Sequence, residues 1–382
     1  MVVKGKRWIL FFVLIWSFFP CQSVYGAEVS SDLSINDYNF SGIEEALKEQ
    51  GMDSFSFQEV VKLLMKGEVV EAVNKIGDGI MNTILQEFIG NKKLLIQLVA
   101  VSIFSAVFTN FSNAFSSDGI GEAGFFVTYL VVFTILASSY GIAVVITKNV
   151  VASLLNFMKV LVPAFCMSVT TVSGFTSSSG IYGLLMLGVL LADYFILTII
   201  LPFANLYFML QMVDHLNQEK HFSKLAGMIQ KGIDWGLKSL FTGIVGVQVL
   251  QSLLLPAIDS VKGTVVQRGV SLIPGAGQAI STVLSTMLGA GVIIKNSIGV
   301  AGLLCILVYI SLPVIKLCVF SVGYQFVSSA LQPIGDKRIV NCISDAANGI
   351  KMLLKVIWVV SALFMLSLVL AIASTNVVYY SQ

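Results

Sequence analysis

Asp193 is the acidic residue that falls deepest inside a long apolar stretch of this chain, ten residues after Gly183 and nine before Pro202. A carboxylate at membrane depth is expensive, and such residues usually serve transport or pair with a cation. Lys159 and Lys316 lie in other apolar stretches and could supply that cation. The sequence therefore predicts candidate intramembrane functional residues at Asp193, Lys159 and Lys316. Two interpretations stay open, proton coupling and a structural ion pair.

Other residues that could carry chemistry form no recognisable site. His215 and His221 are six residues apart in a polar stretch, which is the wrong spacing for one face of a helix. The cysteines after the first 27 residues lie in or beside apolar runs, without CxxC or Cys/His ligand spacing. The sequence also lacks GxSxG, HExxH and P-loop motifs. We therefore expect no enzyme activity, no metal and no cofactor.

The composition indicates a membrane protein. Apolar residues make up 56% of the 382 residues and charged residues only 12%, with a mean hydropathy of +0.89. Soluble domains carry about twice that share of charged residues. Several apolar stretches are long enough to cross a bilayer. The predicted fold is an all-α polytopic integral membrane protein with about six to eight transmembrane helices. The first two helices are expected within 92–148, at Leu94–Phe115 and Ala123–Thr147.

The first 27 residues have the pattern of a targeting segment. Lys4, Lys6 and Arg7 precede an apolar core from Trp8 to Phe19, and small or tolerated residues lie before Ala27. We interpret 1–27 as a cleaved signal peptide, with an uncleaved anchor as the alternative. Either arrangement places the region that follows outside the cytoplasm.

Residues 28–91 form an acidic region with 12 acidic and 4 basic residues, a net charge of −8. Ser56-x-x-Glu59 fits a capping box at the start of a helix. An apolar stripe at helical spacing then runs from Val69 to Phe88 and includes Ile76 and Ile80. We predict an acidic helical extracytoplasmic region in which Ile76 and Ile80 are candidate docking residues. Local packing of the same stripe is the alternative.

Two segments, 149–258 and 259–376, resemble each other. Pro163 and Pro202 recur as Pro274 and Pro313 at an offset of 111, and Gly232 and Lys238 recur as Gly349 and Lys355 at an offset of 117. Duplicated apolar units with matching breaks are typical of transporter-like membrane proteins. We predict two internal repeats containing broken or re-entrant helices, with candidate breaks at these four prolines. Residues 377–382 form a tail.

The broken segments, Asn149–Gly174 and Ser260–Ile294, determine the topology. If each crosses the membrane, there are eight spans and inverted repeats. If each dips in and returns, there are six spans and parallel repeats, with both polar loops on one side. The two loops carry equal basic charge, which favours the six-span arrangement with both loops in the cytoplasm. Both arrangements leave the C-terminus outside.

Several stretches of the chain resemble the stage III sporulation protein AE family of endospore-forming bacteria. They are Lys159-Val-Leu-Val-Pro163-Ala-Phe, the serine-rich turn before Gly180-Ile-Tyr-Gly, Ser271-Leu-Ile-Pro274-Gly, Ala330-Leu-Gln-Pro333-Ile-Gly-Asp336 and Ala346-Ala-Asn-Gly349. The resemblance covers nearly the whole chain, and it transfers no catalytic residue.

This resemblance implies a component of the channel-like complex that the mother cell builds around the forespore. Its implied partners are the membrane, other stage III sporulation proteins and stage II sporulation protein Q, with no nucleic acid. Two hypotheses follow. The first is a non-enzymatic membrane component, with a permease-like core as its most specific form, in the mother-cell membrane surrounding the forespore. The second is a free-standing secondary transporter driven by an ion gradient.

Overall fold

The computed structural model describes residues 57–66, 118–173, 175–216, 222–271, 277–333 and 336–376, together with a few isolated positions before residue 104. The signal segment, most of the acidic region with Ile76 and Ile80, nearly all of the predicted span Leu94–Phe115, Pro274 and the tail lie outside the described residues. The elements of the described part are all helices, which confirms the all-α class.

The helices are much longer than a bilayer is thick. They are α1 (Phe57–Met65), α2 (Asp118–Ser173), α3 (Phe175–Phe195), a π-helical turn (Ile196–Ile200), α4 (Leu201–Asp214), α5 (Ser223–Ser271), α6 (Gly277–Leu331) and α7 (Lys337–Asn376). The 56 residues of α2 extend about 84 Å at about 1.5 Å per residue, against an apolar bilayer core of about 30 Å. Within the described residues, five helical stretches are long and apolar enough to cross a membrane: α2, α3 with α4, α5, α6 and α7.

The two polar stretches that the sequence suggested as loops are largely helical. Ser223–Lys238 forms the beginning of α5, and Lys337–Lys355 forms the beginning of α7. Both segments are amphipathic, because Ile233 and Leu237 of α5 and Ile343 and Ile350 of α7 are buried while lysines lie on other faces. The predicted spans of α5 and α7 are therefore each preceded by an amphipathic segment of the same helix.

Two of the predicted helix breaks are wrong. Pro163 lies inside α2 and Pro313 inside α6, and the helix continues through both. A proline removes one backbone hydrogen bond, but helices packed tightly against their neighbours in a membrane tolerate that loss; Val162 and Phe165 beside Pro163 are fully buried. Pro202 differs, since it lies two residues after the π-helical turn, where the helix is already distorted.

Successive long helices run in opposite directions. At one end of the bundle, the Thr170 hydroxyl donates to Ser178 Oγ at 2.8 Å and joins α2 to α3. At the opposite end, the Tyr129 hydroxyl donates to the Met212 carbonyl, and the Ser328 hydroxyl donates to the Val340 carbonyl at 2.9 Å. The helix ends that flank both polar loops therefore lie at the same end. The common end agrees with the parallel arrangement, but residues 149–173 continue α2 as one helix and do not dip in and return. The internal repeat itself stays a prediction.

Helix α7 lies at the centre of the bundle, where it packs against α2, α4, α5 and α6. The rings of Tyr140 and Phe208 stack with centroids 3.7 Å apart and planes within 2°. Gly349 lets α7 approach this pair, because a Cβ there would lie 3.1 Å from Phe208 and 3.2 Å from Tyr140. A side chain at position 349 would therefore push α7 away from α2 and α4.

Helix α1 is a described piece of the acidic region. It begins at Phe57, directly after Ser56, and carries Glu59 in its first turn, as the capping box predicts. It packs against α6, and Val60 and Val61 are buried in the common core. Part of the acidic region therefore packs on the membrane body itself.

Candidate functional site

The predicted intramembrane carboxylate pairs with one of its two predicted cations. Lys159 Nζ on α2 lies 3.3 Å from Asp193 Oδ2 on α3, and the two side chains are 38% and 32% exposed. The antiparallel packing of α2 and α3 brings these residues together. Lys316 lies half-buried on α6. Pairing reduces the cost of an isolated charge in a membrane, so the contact agrees with the structural interpretation of Asp193.

A second polar cluster lies where the polar loops meet the bundle. His215 Nε2 lies 2.8 Å from Asp345 Oδ2, and Asn348 Nδ2 donates to Asp345 Oδ1 at 3.3 Å. The neighbouring Asp214 is buried, and its carboxylate accepts the Phe222 backbone N–H at 2.7 Å. This cluster fixes the end of α4 to α7 and closes the first polar loop.

Sequence reasoning missed this cluster. His215 and His221 lie six residues apart, and that spacing predicts no shared site. His215 instead pairs with a residue 130 positions further along the chain. Its flanking apolar residues, Met212 and Val213, were a weak signal of burial at the end of a span.

A third pair links α5 to α7. Lys355 Nζ lies 2.5 Å from Asp234 Oδ1, and one turn earlier Lys351 Nζ donates to Gln325 Oε1 of α6 at 3.1 Å. In the predicted repeat, Lys355 corresponds to Lys238 and Lys351 to Asp234. Asp234 of the first predicted repeat therefore contacts Lys355 of the second. The two helices that carry them, α5 and α7, occupy equivalent positions in the two repeats.

Lys295 was also missed by sequence reasoning. It is completely buried in α6, and its ammonium donates to Thr375 Oγ1 of α7 at 2.7 Å. In the sequence it directly follows the predicted broken segment Ser260–Ile294. The continuous α6 instead carries it into the bundle, where a hydroxyl of α7 accepts its hydrogen bond.

The described polar groups hold helices together. Within the described ranges, no group of three or more His, Cys, Asp and Glu side chains is placed to hold a metal ion. The contacts instead join α2 to α3, α4 to α7, α5 to α7 and α6 to α7. Chemically, the arrangement can fix the register of a helical bundle and present charge along it.

Comparisons with known proteins agree with this membrane architecture. Residues 55–375 match the family model for stage III sporulation protein AE. The chain is similar to stage III sporulation protein AE of Bacillus subtilis (strain 168), with 21% identity over 329 residues that cover 81% of this chain and 80% of the relative. No solved structure matches it. Because the family model covers α1 to the end of the bundle, this chain belongs to the stage III sporulation protein AE family.

Proposed function

We propose that this chain is a non-enzymatic membrane component of the sporulation channel complex that links mother cell and forespore, and that it is the permease-like core of that complex. The observation that carries the proposal is the family match across residues 55–375. The five long apolar helices of the described part support a core role, since a complex that connects two compartments needs an element that crosses the membrane.

The proposed location is the mother-cell membrane that surrounds the forespore, with the N-terminal region outside the cytoplasm. Both polar loops then lie in the mother-cell cytoplasm. Two features support this orientation. The helix ends that flank the loops lie at one end of the bundle, and short basic loops tend to stay in the cytoplasm.

The proposed partners are other stage III sporulation proteins and stage II sporulation protein Q. The relative's name places that protein in stage III of sporulation, and the family resemblance implies the complex. A free-standing ion-coupled transporter is the competing function, and it relied on Asp193 as a titrating carboxylate. The contact between Asp193 and Lys159 supports a structural role for that carboxylate.

Compartment-specific complementation tests the proposal. In a host that lacks this protein, the full chain would be expressed from either a mother-cell or a forespore promoter, with a fluorescent tag after Gln382. We expect mother-cell expression alone to restore sporulation and to give fluorescence around the engulfed forespore. Equal rescue by forespore expression, or rescue with fluorescence spread evenly over all membranes, would contradict the proposal.

A further inference from the structure

An apolar groove lies between α3 and α5, within two of the stretches that are apolar enough to cross a membrane. Its cavity has a volume of about 370 Å³. Leucines, an isoleucine and a valine form most of its lining: Leu184, Leu187 and Leu191 of α3, and Leu240, Ile244 and Val247 of α5. Leu187, Leu191 and Val247 are each about half exposed, so the groove opens on the outer surface of the bundle.

The α5 side of this groove is built from small residues. Gly232, Gly236, Ser239, Gly243 and Gly246 recur at alternating intervals of four and three residues, which keeps them on one face of the helix. A Cβ added at Gly232, Gly243 or Gly246 would meet nothing within 4 Å. Only 17% of the most apolar window of α5 is buried, against 33–50% in the four other described stretches. Such a face allows a further helix to approach closely in a membrane.

Gln248 forms part of the floor of the groove. It is 6% exposed, and its Nε2 lies 3.5 Å from the place that a Cβ of Gly188 would take, so its side chain reaches α3. Its Oε1 is buried and accepts no hydrogen bond within the described part of the chain. A buried carbonyl oxygen without a donor is costly, and lipid acyl chains carry no donor. The groove therefore suits an occupant that brings a hydrogen-bond donor.

We propose that the groove is the docking site of a transmembrane helix from another protein of the sporulation complex. A side-chain hydroxyl or amide of that helix donates to Gln248 Oε1, and its backbone lies against Ser239 and Gly243. The inference rests on the proposed membership of a complex and names one contact surface within it. A lipid chain in the groove would leave Gln248 Oε1 unpaired.

A second copy of this chain fits the groove less well. Copies in one membrane share an orientation, so a two-fold contact brings residues at the same depth together. The exposed side chains within one helical turn of Gly188 and Gln248 are apolar and carry no donor: Leu187, Leu190, Leu191, Val247, Val249 and Leu250. The donor therefore comes from a different protein.

Photo-cross-linking in sporulating cells tests the docking site in the full chain. A benzophenone amino acid replaces Leu191 or Val247 at the two edges of the groove, or Val145, an exposed residue of α2, as the control. We expect light to join the chain to a second protein from positions 191 and 247 but not from 145. The joined peptide should map by mass spectrometry to an apolar stretch of at least about 18 residues that contains Ser, Thr, Tyr, Asn or Gln. Adducts between two copies of this chain, or no protein adduct from either edge, would overturn the proposal.

Filling the small-residue face should block docking. Gly243→Leu should reduce the adduct yield from position 191 at least about fivefold, because its side chain occupies the space that the partner helix needs. Gly141→Leu is the matched control, since Gly141 of α2 also has nothing within 4 Å of its Cβ position and lies away from the groove. Equal yields in the two variants would overturn the proposed contact.

Gln248→Met separates docking from folding. The purified variant should unfold in detergent at the same temperature as the parent or a higher one, because an unpaired buried oxygen is removed. In cells, the adduct yield from position 191 should fall at least about fivefold, because the partner loses its acceptor. A lower unfolding temperature would show that the amide is paired inside the chain, and an unchanged yield would remove the hydrogen bond; either result overturns the proposal. Sporulation restored by mother-cell expression without an adduct from position 191 or 247 would overturn the docking site and leave the proposed function standing.

Discussion

Reversing the charge of Asp234 should weaken the contact between α5 and α7. Its carboxylate lies 2.5 Å from the Lys355 ammonium, and the two side chains are 33% and 35% exposed. Two unit charges 4 Å apart attract by about 4 kcal/mol at an effective dielectric constant of about 20. Because a third of each side chain is exposed, solvent screening reduces the contribution to about 1–2 kcal/mol.

The two reversals should differ in severity. Asp234→Lys places a new cation between Lys231 and Lys238 and opposite Lys355, so repulsion replaces attraction. Lys355→Asp places a carboxylate near those same lysines of α5 and should be milder. The double swap, Asp234→Lys with Lys355→Asp, restores an opposite-charge pair between the helices. It should recover at least about 1 kcal/mol relative to the sum of the two single changes.

Thermal unfolding in detergent measures this order, with a thiol-reactive fluorophore that reports exposure of the buried Cys166, Cys305 and Cys342 in a Cys318→Ser background. The midpoint should be highest for the parent and the double swap, lower for Lys355→Asp and lowest for Asp234→Lys. Lys351→Asp is the matched control, since Lys351 bonds a neutral amide and should change stability by only about 0.5 kcal/mol. A double swap no more stable than Asp234→Lys would refute the pairing.

Three further predictions concern other parts of the chain. Asp193→Asn should lower the protein level on immunoblots, because it leaves the Lys159 ammonium without its carboxylate. Adding Lys159→Gln should restore that level. A normal level of Asp193→Asn with lost function would instead indicate a titrating carboxylate. A reporter active only outside the cytoplasm should give signal after Gln382 and none within 218–231 or 337–351, and opposite signals from the two internal fusions would establish inverted repeats. Replacing Ile76 and Ile80 with Asp should abolish assembly with partners while membrane insertion continues, and co-purification at the parental level would leave this region as a spacer.

The fold class could be predicted because it depends on composition and on the length of apolar stretches. The ends of the helices could not. Ile233 and Leu237 belong to an amphipathic segment whose lysines suggested a loop, and only the bundle provides the surface on which they are buried. Pro163 suggested a break for a similar reason, since sequence shows the missing N–H but not the packing that keeps the helix continuous.

The site was predictable where the chemistry was local. Asp193 and Lys159 lie on adjacent helices. Because an unpaired charge in a membrane is costly, each residue predicts a partner of opposite charge. The contact between His215 and Asp345 joins residues 130 positions apart, so it depends on the packing of α4 against α7. Lys295 shows the same limit, because its burial follows from the path of α6 rather than from its neighbours in the sequence.

Affinity purification of the full chain from sporulating cells tests membership of the complex most directly. The chain would carry a tag after Gln382, and extraction would use a mild detergent after brief cross-linking. The proposal predicts recovery of other stage III sporulation proteins and stage II sporulation protein Q, with none recovered from an untagged strain. Recovery of this chain alone, as a homodimer, would contradict it and would favour a free-standing transporter.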